Sequence, residues 1–341
     1  MEKVTMLGID LAKESFQLHG VDRKGKAILR KSLKRKQLLE FMVQFPSCTV
    51  CMEACGGSNY WAQKFLAMGH QVKLIAAQYV KPFVKSQKND RNDAEAIVEA
   101  ASRPSMRFVS PKQQWQQDIQ TLHRVRQRQQ RAKTALACQI RGLLMEYGIT
   151  IPEGIGHLKK QLPVILEDAE NGLSSTLRTL VSDLYEEFVE LEVRKAKYDL
   201  QLKQISLTHE SCKRLQQVPG VGPLTSTAFV ASVGDVNVFK NGRQLAAWLG
   251  LVPKQCSTGG KTKLLGITKR GDIYLRSLMV HGARAVVTQA TLKKDRQDSL
   301  SQRIRHLVET RGFNKTAVAI ANRNARVMFA MLKKGEDYRV G

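Results

Sequence analysis

Val4-Thr5-Met6-Leu7-Gly8-Ile9-Asp10 is a short, mostly apolar run that stops on a carboxylate. Its length and its sharp polar end predict a buried strand rather than a helix. Phe16–Val21 reads as a second strand, and Lys24-Gly25-Lys26 as a hairpin turn into a third. Leu33–Phe45 has helical periodicity, and Thr49–Met52 is a buried-type strand ending at Glu53. Tyr60–Met68 is helical, Gln71–Ile75 is a strand, and Asn92–Ala101 is a helix. Strands interleaved with crossing helices predict a mixed α/β sheet for residues 1–110.

Beyond it the pattern turns helical. Gln113–Tyr147 forms a helical extension over residues 111–150, cleanest at Ala132, Leu136, Ile140, Leu143 and Leu144. Arg124, Arg126, Arg128, Arg131 and Lys133 point all around it, as a solvated surface or a nucleic-acid contact. Ile151–Leu173 carries Pro152, Gly154, Gly156 and Pro163 and reads as a connector. Leu177, Val181, Leu184, Phe188, Leu191, Lys195, Tyr198, Leu202 and Ile205 then alternate three and four residues apart. This heptad fits a coiled coil or a long intramolecular hairpin helix. Self-association is the favoured reading, because an amphipathic stripe must be buried against something. Residues 151–210 are thus linker and coiled coil, and 211–341 form a mainly α-helical C-terminal domain opening on Val218-Pro219-Gly220-Val221-Gly222.

The 341 residues carry a formal charge of +25. Basic and acidic side chains number 18 and 10 in residues 1–110, 14 and 13 in 111–210, and 23 and 7 in 211–341. A surplus of this size implies a polyanionic partner, bound largely through counterion release. The cations are spread over folded segments rather than along one amphipathic helix, which argues against a membrane surface. No apolar run reaches the roughly 18 to 20 residues of a membrane helix, and no signal-peptide core is evident, so a cytoplasmic protein is expected. Cys48, Cys51 and Cys55 lack a second pair at ligand spacing, so buried thiols are expected over a zinc knuckle.

Four acids sit in telling places. Asp10 and Glu53 end strands, and Asp90 and Asp93 lie three apart at the start of a helix. Strand ends form the functional crevice of open α/β sheets. Converging carboxylates repel one another unless a cation sits among them, and hard oxygen donors select Mg²⁺ or Mn²⁺. Singly, each acid has an ordinary reading as a cap or a surface group.

Together, Gly8-Ile9-Asp10-Leu11-Ala12-Lys13, Cys51-Met52-Glu53-Ala54 and Asn89-Asp90-Arg91-Asn92-Asp93-Ala94 resemble the metal-binding motifs of a RuvC-like, RNase H-like domain. The D-E-D-D order is similar to that of the "one-ten" insertion-sequence transposases, whose relatives include the Piv invertases and the RNA-guided bridge recombinases. The C-terminal half resembles the same family in motif order. Val218–Gly222 resembles its helix-hairpin-helix-like opening. Gln244-Leu245-Ala246-Ala247-Trp248-Leu249-Gly250-Leu251-Val252-Pro253, Cys256–Lys261 and Ile267–Arg276 resemble its transposase domain, most of all in the "eleven-eleven" subgroup.

The resemblance implies that Asp10, Glu53, Asp90 and Asp93 hold Mg²⁺ or Mn²⁺. It implies a nucleophilic serine at Ser257, or at Thr258 when the count from Pro253 is made without a gap. It implies donor and target DNA as substrates, an element-encoded guide RNA as partner, and a dimer or tetramer with a composite site. Gly220 and Gly222, whose backbone N–H groups could approach a phosphate, and Lys261, Lys263, Lys269, Arg270 and Arg276 are the expected nucleic-acid contacts. A junction-resolving nuclease with water as nucleophile would share the acids and use the basic loop only as a grip. A non-enzymatic binder with a degenerate RNase H fold is the third reading, and the intact acid quartet weighs against it.

Overall fold

The computed structural model describes residues 3–85, 90–293, 295 and 297–339, with residues 90 and 91 described by backbone alone. The chain divides into two compact units, Met1–Gln116 with Gly234–Lys240, and Gln117–Val233 with Asn241–Gly341.

The first unit is a six-stranded mixed sheet. In chain order its elements are β1 (Met6–Leu11), β2 (Ser15–Val21), β3 (Ala27–Lys34), α1 (Arg35–Gln44), β4 (Thr49–Glu53), α2 (Ser58–Ala67), β5 (Gln71–Ile75), α3 (Ala77–Val80), α4 (Asp90–Ser102) and β6 (Phe108–Val109). The strand order is β3-β2-β1-β4-β5-β6. β1, β2 and β3 form an antiparallel meander, β4 and β5 run parallel to β1, and β6 closes the edge antiparallel. Asp22 accepts hydrogen bonds from the N–H groups of Lys24 and Lys26, and Gly25 supplies the left-handed residue of that turn. Leu33, expected in a helix, lies in β3, and α1 starts two residues later.

Alternation sorts the strand residues between two cores. Leu7, Ile9, Val50 and Met52 face α1 and α2, among Leu38, Met42, Trp61 and Phe65. Cys51 and Ile75 belong to the opposite face, with Ala96, Ile97 and Ala100 of α4. Gly8 lies on that second face, where a Cβ would stand 2.5 Å from the Ala94 carbonyl oxygen and 2.6 Å from Val98 Cγ2. Only glycine lets α4 lie this close to β1. Cys48 and Cys51 are buried, and burial pushes their thiols up to about 11 and about 12. They pack as small hydrophobes in the two cores.

The second unit continues with α5 (Gln114–Met145), α6 (Ile155–Glu167), α7 (Ser175–Thr208), α8 (Glu210–Leu215), α9 (Pro223–Val233), α10 (Gly242–Trp248), β7 (Pro253–Thr258), β8 (Lys261–Ile267), α11 (Ile273–Leu292), α12 (Ser299–Arg311) and α13 (Phe313–Lys334). The expected connector contains α6. Pro163 forfeits one helical hydrogen bond, and the burial of Leu158 and Leu162 offsets it.

The heptad stripe lies on α7, and its partner is intramolecular. Leu177, Val181, Phe188 and Leu191 pack against Leu136, Ala137, Ile140 and Leu144 of α5 and Leu158 and Leu162 of α6. This corrects the favoured reading: the stripe that was to pair two chains is already covered by this one. The basic cluster of α5 divides. Arg126 pairs with Asp199 and Lys133 with Glu192, while Arg124, Arg128 and Arg131 stay exposed. Among the described residues no helix is long and apolar enough to cross a membrane.

Candidate active site

Parallel pairing sets the first two acids side by side. Gly8 faces Cys51 and Ile9 faces Met52, so the next step of the register brings Asp10 opposite Glu53. By alternation both belong to the α4 face, at the carboxyl ends of their strands. Electrostatics agrees with this placement. The Cys55 thiol, just past β4, is raised first by burial and then by the negative charges of Glu53 and Asp10.

α4 begins at Asp90, and Asp93, half-buried, directly precedes the Ala94 that touches Gly8. Asp90 stands one turn ahead of Ala94 on the same helix face, and its side chain lies outside the described residues. The other two acids of α4 are committed elsewhere: Glu95 pairs with Arg30 and Lys85, and Glu99 with Lys85 and Arg103. Among the described residues no three acids, histidines or cysteines gather into a ready metal set. The acids at these strand ends and at the start of α4 offer carboxylate oxygens, and the nearby Cys55 thiol is disfavoured as thiolate. That chemistry fits a hard divalent cation rather than zinc.

The serine segment is a strand, not the flexible loop its glycines suggest. β7 and β8 form an antiparallel hairpin whose turn, Gly259-Gly260, has φ of +55° and +76°. Two left-handed residues match the twist of paired strands. All of β7 is exposed. Ser257 pairs with Thr262 and Thr258 with Lys261. Ser257 therefore shares a hairpin face with Gln255, Thr262 and Leu264, and Gln255 Nε2 donates to its Oγ at 2.8 Å. Thr258 shares the other face with Lys261, Lys263 and Cys256, so these two lysines do not stand beside Ser257.

Two expected phosphate contacts are occupied in packing. Gly220 has φ +83°, and a Cβ there would lie 2.6 Å from the Gly282 carbonyl oxygen. Its Cα is pressed against α11, while Gly222 faces open space. Arg276 is 8% exposed, and its Nη1 donates to the carbonyls of Arg270, at 2.6 Å, and Leu249, at 3.2 Å. It braces the preceding loop. Gly250 and Gly271 let that loop approach α10 and the residues after it, and Lys269 takes a left-handed φ of +56°. Lys269 and Arg270 are exposed on it.

A polar network escaped the sequence. His123, buried in α5, is held between the Tyr274 hydroxyl and Thr227 Oγ1, each at 3.0 Å. Burial, and secondarily the Arg126 charge, depress it to about 4, so it is neutral. The three residues are 47 to 151 apart in sequence, with no motif to join them.

The comparisons with known proteins agree with this architecture. A DEDD transposase family model of the IS110 group matches residues 7–149, and the model for the transposase IS116/IS110/IS902 family matches residues 212–298. The chain is 45% identical over 341 residues to the transposase for insertion sequence element IS1111A of Coxiella burnetii, covering all of this chain and 93% of that protein. It is 46% identical to a probable family 20 transposase of Pseudomonas aeruginosa, over 99% of each chain. To the transposase for insertion sequence element IS1328 of Yersinia enterocolitica it is 39% identical, over 98% of each. The chain belongs to the IS110/IS116/IS902 family of insertion-sequence transposases, with a DEDD domain of RNase H-like build.

Proposed function

We propose that this transposase cuts and rejoins DNA strands through a covalent phosphoserine intermediate, with an acidic metal site on its first unit and the serine on its second. The observation that carries the reading is the parallel register of β1 and β4, Ile9 opposite Met52, which puts Asp10 and Glu53 one step further at the ends of adjacent strands, beside the helix that begins with Asp90 and contains Asp93. Asp10, Glu53, Asp90 and Asp93 would hold Mg²⁺ or Mn²⁺. Bound there, the ion supplies charge neutralisation for a phosphodiester and for the oxygens entering and leaving it.

Ser257 Oγ forms a bond to phosphorus as the bond to one DNA oxygen breaks. That oxygen leaves as a hydroxyl, taking up a proton to balance the one lost from the serine. One ester replaces another, so the bond energy is kept for rejoining without ATP. Lys269 and Arg270, exposed on the braced loop, stabilise phosphate charge. Sequence choice falls to an element-encoded RNA that pairs with donor and target DNA, so the protein needs mainly backbone contacts. The general basic surplus supports that division of labour.

Thr258 is the second reading for the nucleophile, and the hairpin register favours it on one count: Lys261 and Lys263 lie on its face. The test incubates the protein with element DNA, the element's flanking RNA and Mg²⁺, and assays a denaturation-resistant protein–DNA adduct. Loss of the adduct in Ser257→Ala with retention in Thr258→Ala is expected. The opposite pattern assigns Thr258, and cleavage without any adduct assigns water and the junction-resolving reading.

A further inference from the structure

α13 carries five basic residues and no acid along 22 residues, and two of the five enter a groove with bases from other helices. Arg323 and Arg326 of α13, Arg303 of α12 and Arg243 of α10 line an open groove of about 770 Å³. No carboxylate lines it. Among the described residues none of the four is ion-paired. Elsewhere the chain does pair buried or crowded cations, as Arg126 with Asp199 and Lys133 with Glu192. Four guanidinium groups around one concavity repel each other, and an anionic occupant relieves that repulsion.

The groove is also shaped for a close approach. Ala319 and Ala330 leave parts of its wall without bulk, and Gly242, where a Cβ would stand 3.0 Å from the Arg326 backbone, lets α10 pack closely on α13 and so sets Arg243 beside Arg326. Arg323 is positioned by bonds to Asn324 Oδ1 and the Tyr338 hydroxyl, while Arg243, Arg303 and Arg326 are exposed. Asn322, which donates to the Leu251 carbonyl, and Asn241, which caps α10, add polar atoms to the rim. Guanidinium forks suit phosphate oxygens in paired contacts, and several forks in one groove suit a repeating anion better than a single ion.

We propose that the α10–α12–α13 groove binds the phosphodiester backbone of a nucleic-acid strand, at a site separate from the Ser257 hairpin and the acid quartet. This rests on the transposase reading only for the identity of the polyanion. Arg243, Arg303 and Arg326 come from segments far apart in sequence, so the site exists only in the folded unit.

The test measures equilibrium binding of the full chain to a short labelled DNA duplex, the corresponding single strand and a hairpin RNA across a NaCl series. The variant is Arg243→Gln/Arg303→Gln/Arg326→Gln. The control, Lys160→Gln/Lys197→Gln/Lys203→Gln, removes the same charge from exposed positions on α6 and α7. Melting curves verify that both fold. The groove variant is expected to lower the salt slope by about 2 to 3, near 0.9 per lost duplex contact and 0.7 per lost single-strand contact. Its affinity should fall at least about tenfold for one probe or more, and the probe most affected identifies DNA or RNA as the occupant. The control triple should leave the slope near wild type. Equal slope changes in the two triples, or wild-type binding of every probe by the groove variant, overturn the proposal. Adduct formation by the wild-type protein separates the failures. A groove variant with a lowered slope beside a wild type that cleaves without adduct sinks only the serine chemistry, and an unchanged slope beside a wild type that forms the adduct sinks only the groove.

Discussion

Gly8→Ala probes the joint between fold and chemistry. The new Cβ would stand 2.5 Å from the Ala94 carbonyl oxygen, where ordinary contact begins at 3.4 Å. Since the obstacle is backbone, α4 must retreat from β1 by about 0.9 Å, and overpacking of this kind costs about 1 to 3 kcal/mol. The retreat moves Asp90 and Asp93 away from Asp10 and Glu53. Misplacement of reacting groups by about 1 Å costs on the order of 10²-fold in rate. Denaturant melts and single-turnover strand cleavage on the same preparation separate the two effects. The expected result is a still-folded protein with cleavage down about 100-fold and DNA binding unchanged. Full cleavage and a wild-type midpoint would refute the close α4–β1 seat and, with it, the acid arrangement.

Other consequences are as direct. Asp10→Asn or Glu53→Gln should abolish divalent-ion-dependent cleavage and leave the midpoint of thermal unfolding within a few degrees, read by calorimetry. Gly282→Ala would set a Cβ 1.9 Å from the Gly220 carbonyl oxygen, so a loss of about 3 kcal/mol or more in urea unfolding is expected. His123 is held to about 4 against an unfolded value of 6.5. As pH falls below 6.5 the unfolded chain takes up a proton that the native one refuses. Stability therefore drops through the window from 6.5 to about 4, by about 2 kcal/mol at pH 5. His123→Gln should flatten that stretch of the pH–stability curve, and an unchanged slope would contradict the neutral buried imidazole.

The first unit was readable because its strands are short apolar runs bounded by turns and acids, and alternation assigns their faces. Asp10 and Glu53 could be placed at strand ends, but their adjacency depends on β4 pairing with β1, which a single sequence does not state. α6 was missed because Pro163 and the glycines before it outweigh local signals, while the burial of Leu158 and Leu162 is a tertiary effect. The α7 stripe announced a buried face and not its partner, and α5 and α6 supply one within the chain. Gly259-Gly260 between two polar, strand-like segments is a hairpin signal present in the sequence itself. Arg276 looks like a phosphate contact in sequence, and only its burial and its bonds to the Leu249 and Arg270 carbonyls show it to be a brace. Arg323 and Arg326 stand three apart on α13, but nothing in the sequence joins them to Arg243 and Arg303, which other helices bring to the same groove.

Mapping the covalent link tests the central claim most directly. Protein reacted with element DNA, flanking RNA and Mg²⁺ would be digested, and the nucleotide-bearing peptide sequenced by mass spectrometry. The account predicts a phosphodiester on Ser257, present with the divalent ion and absent in Asp10→Asn. A link on a residue outside the β7–β8 hairpin, or strand cleavage that proceeds with no linked peptide at all, would contradict it.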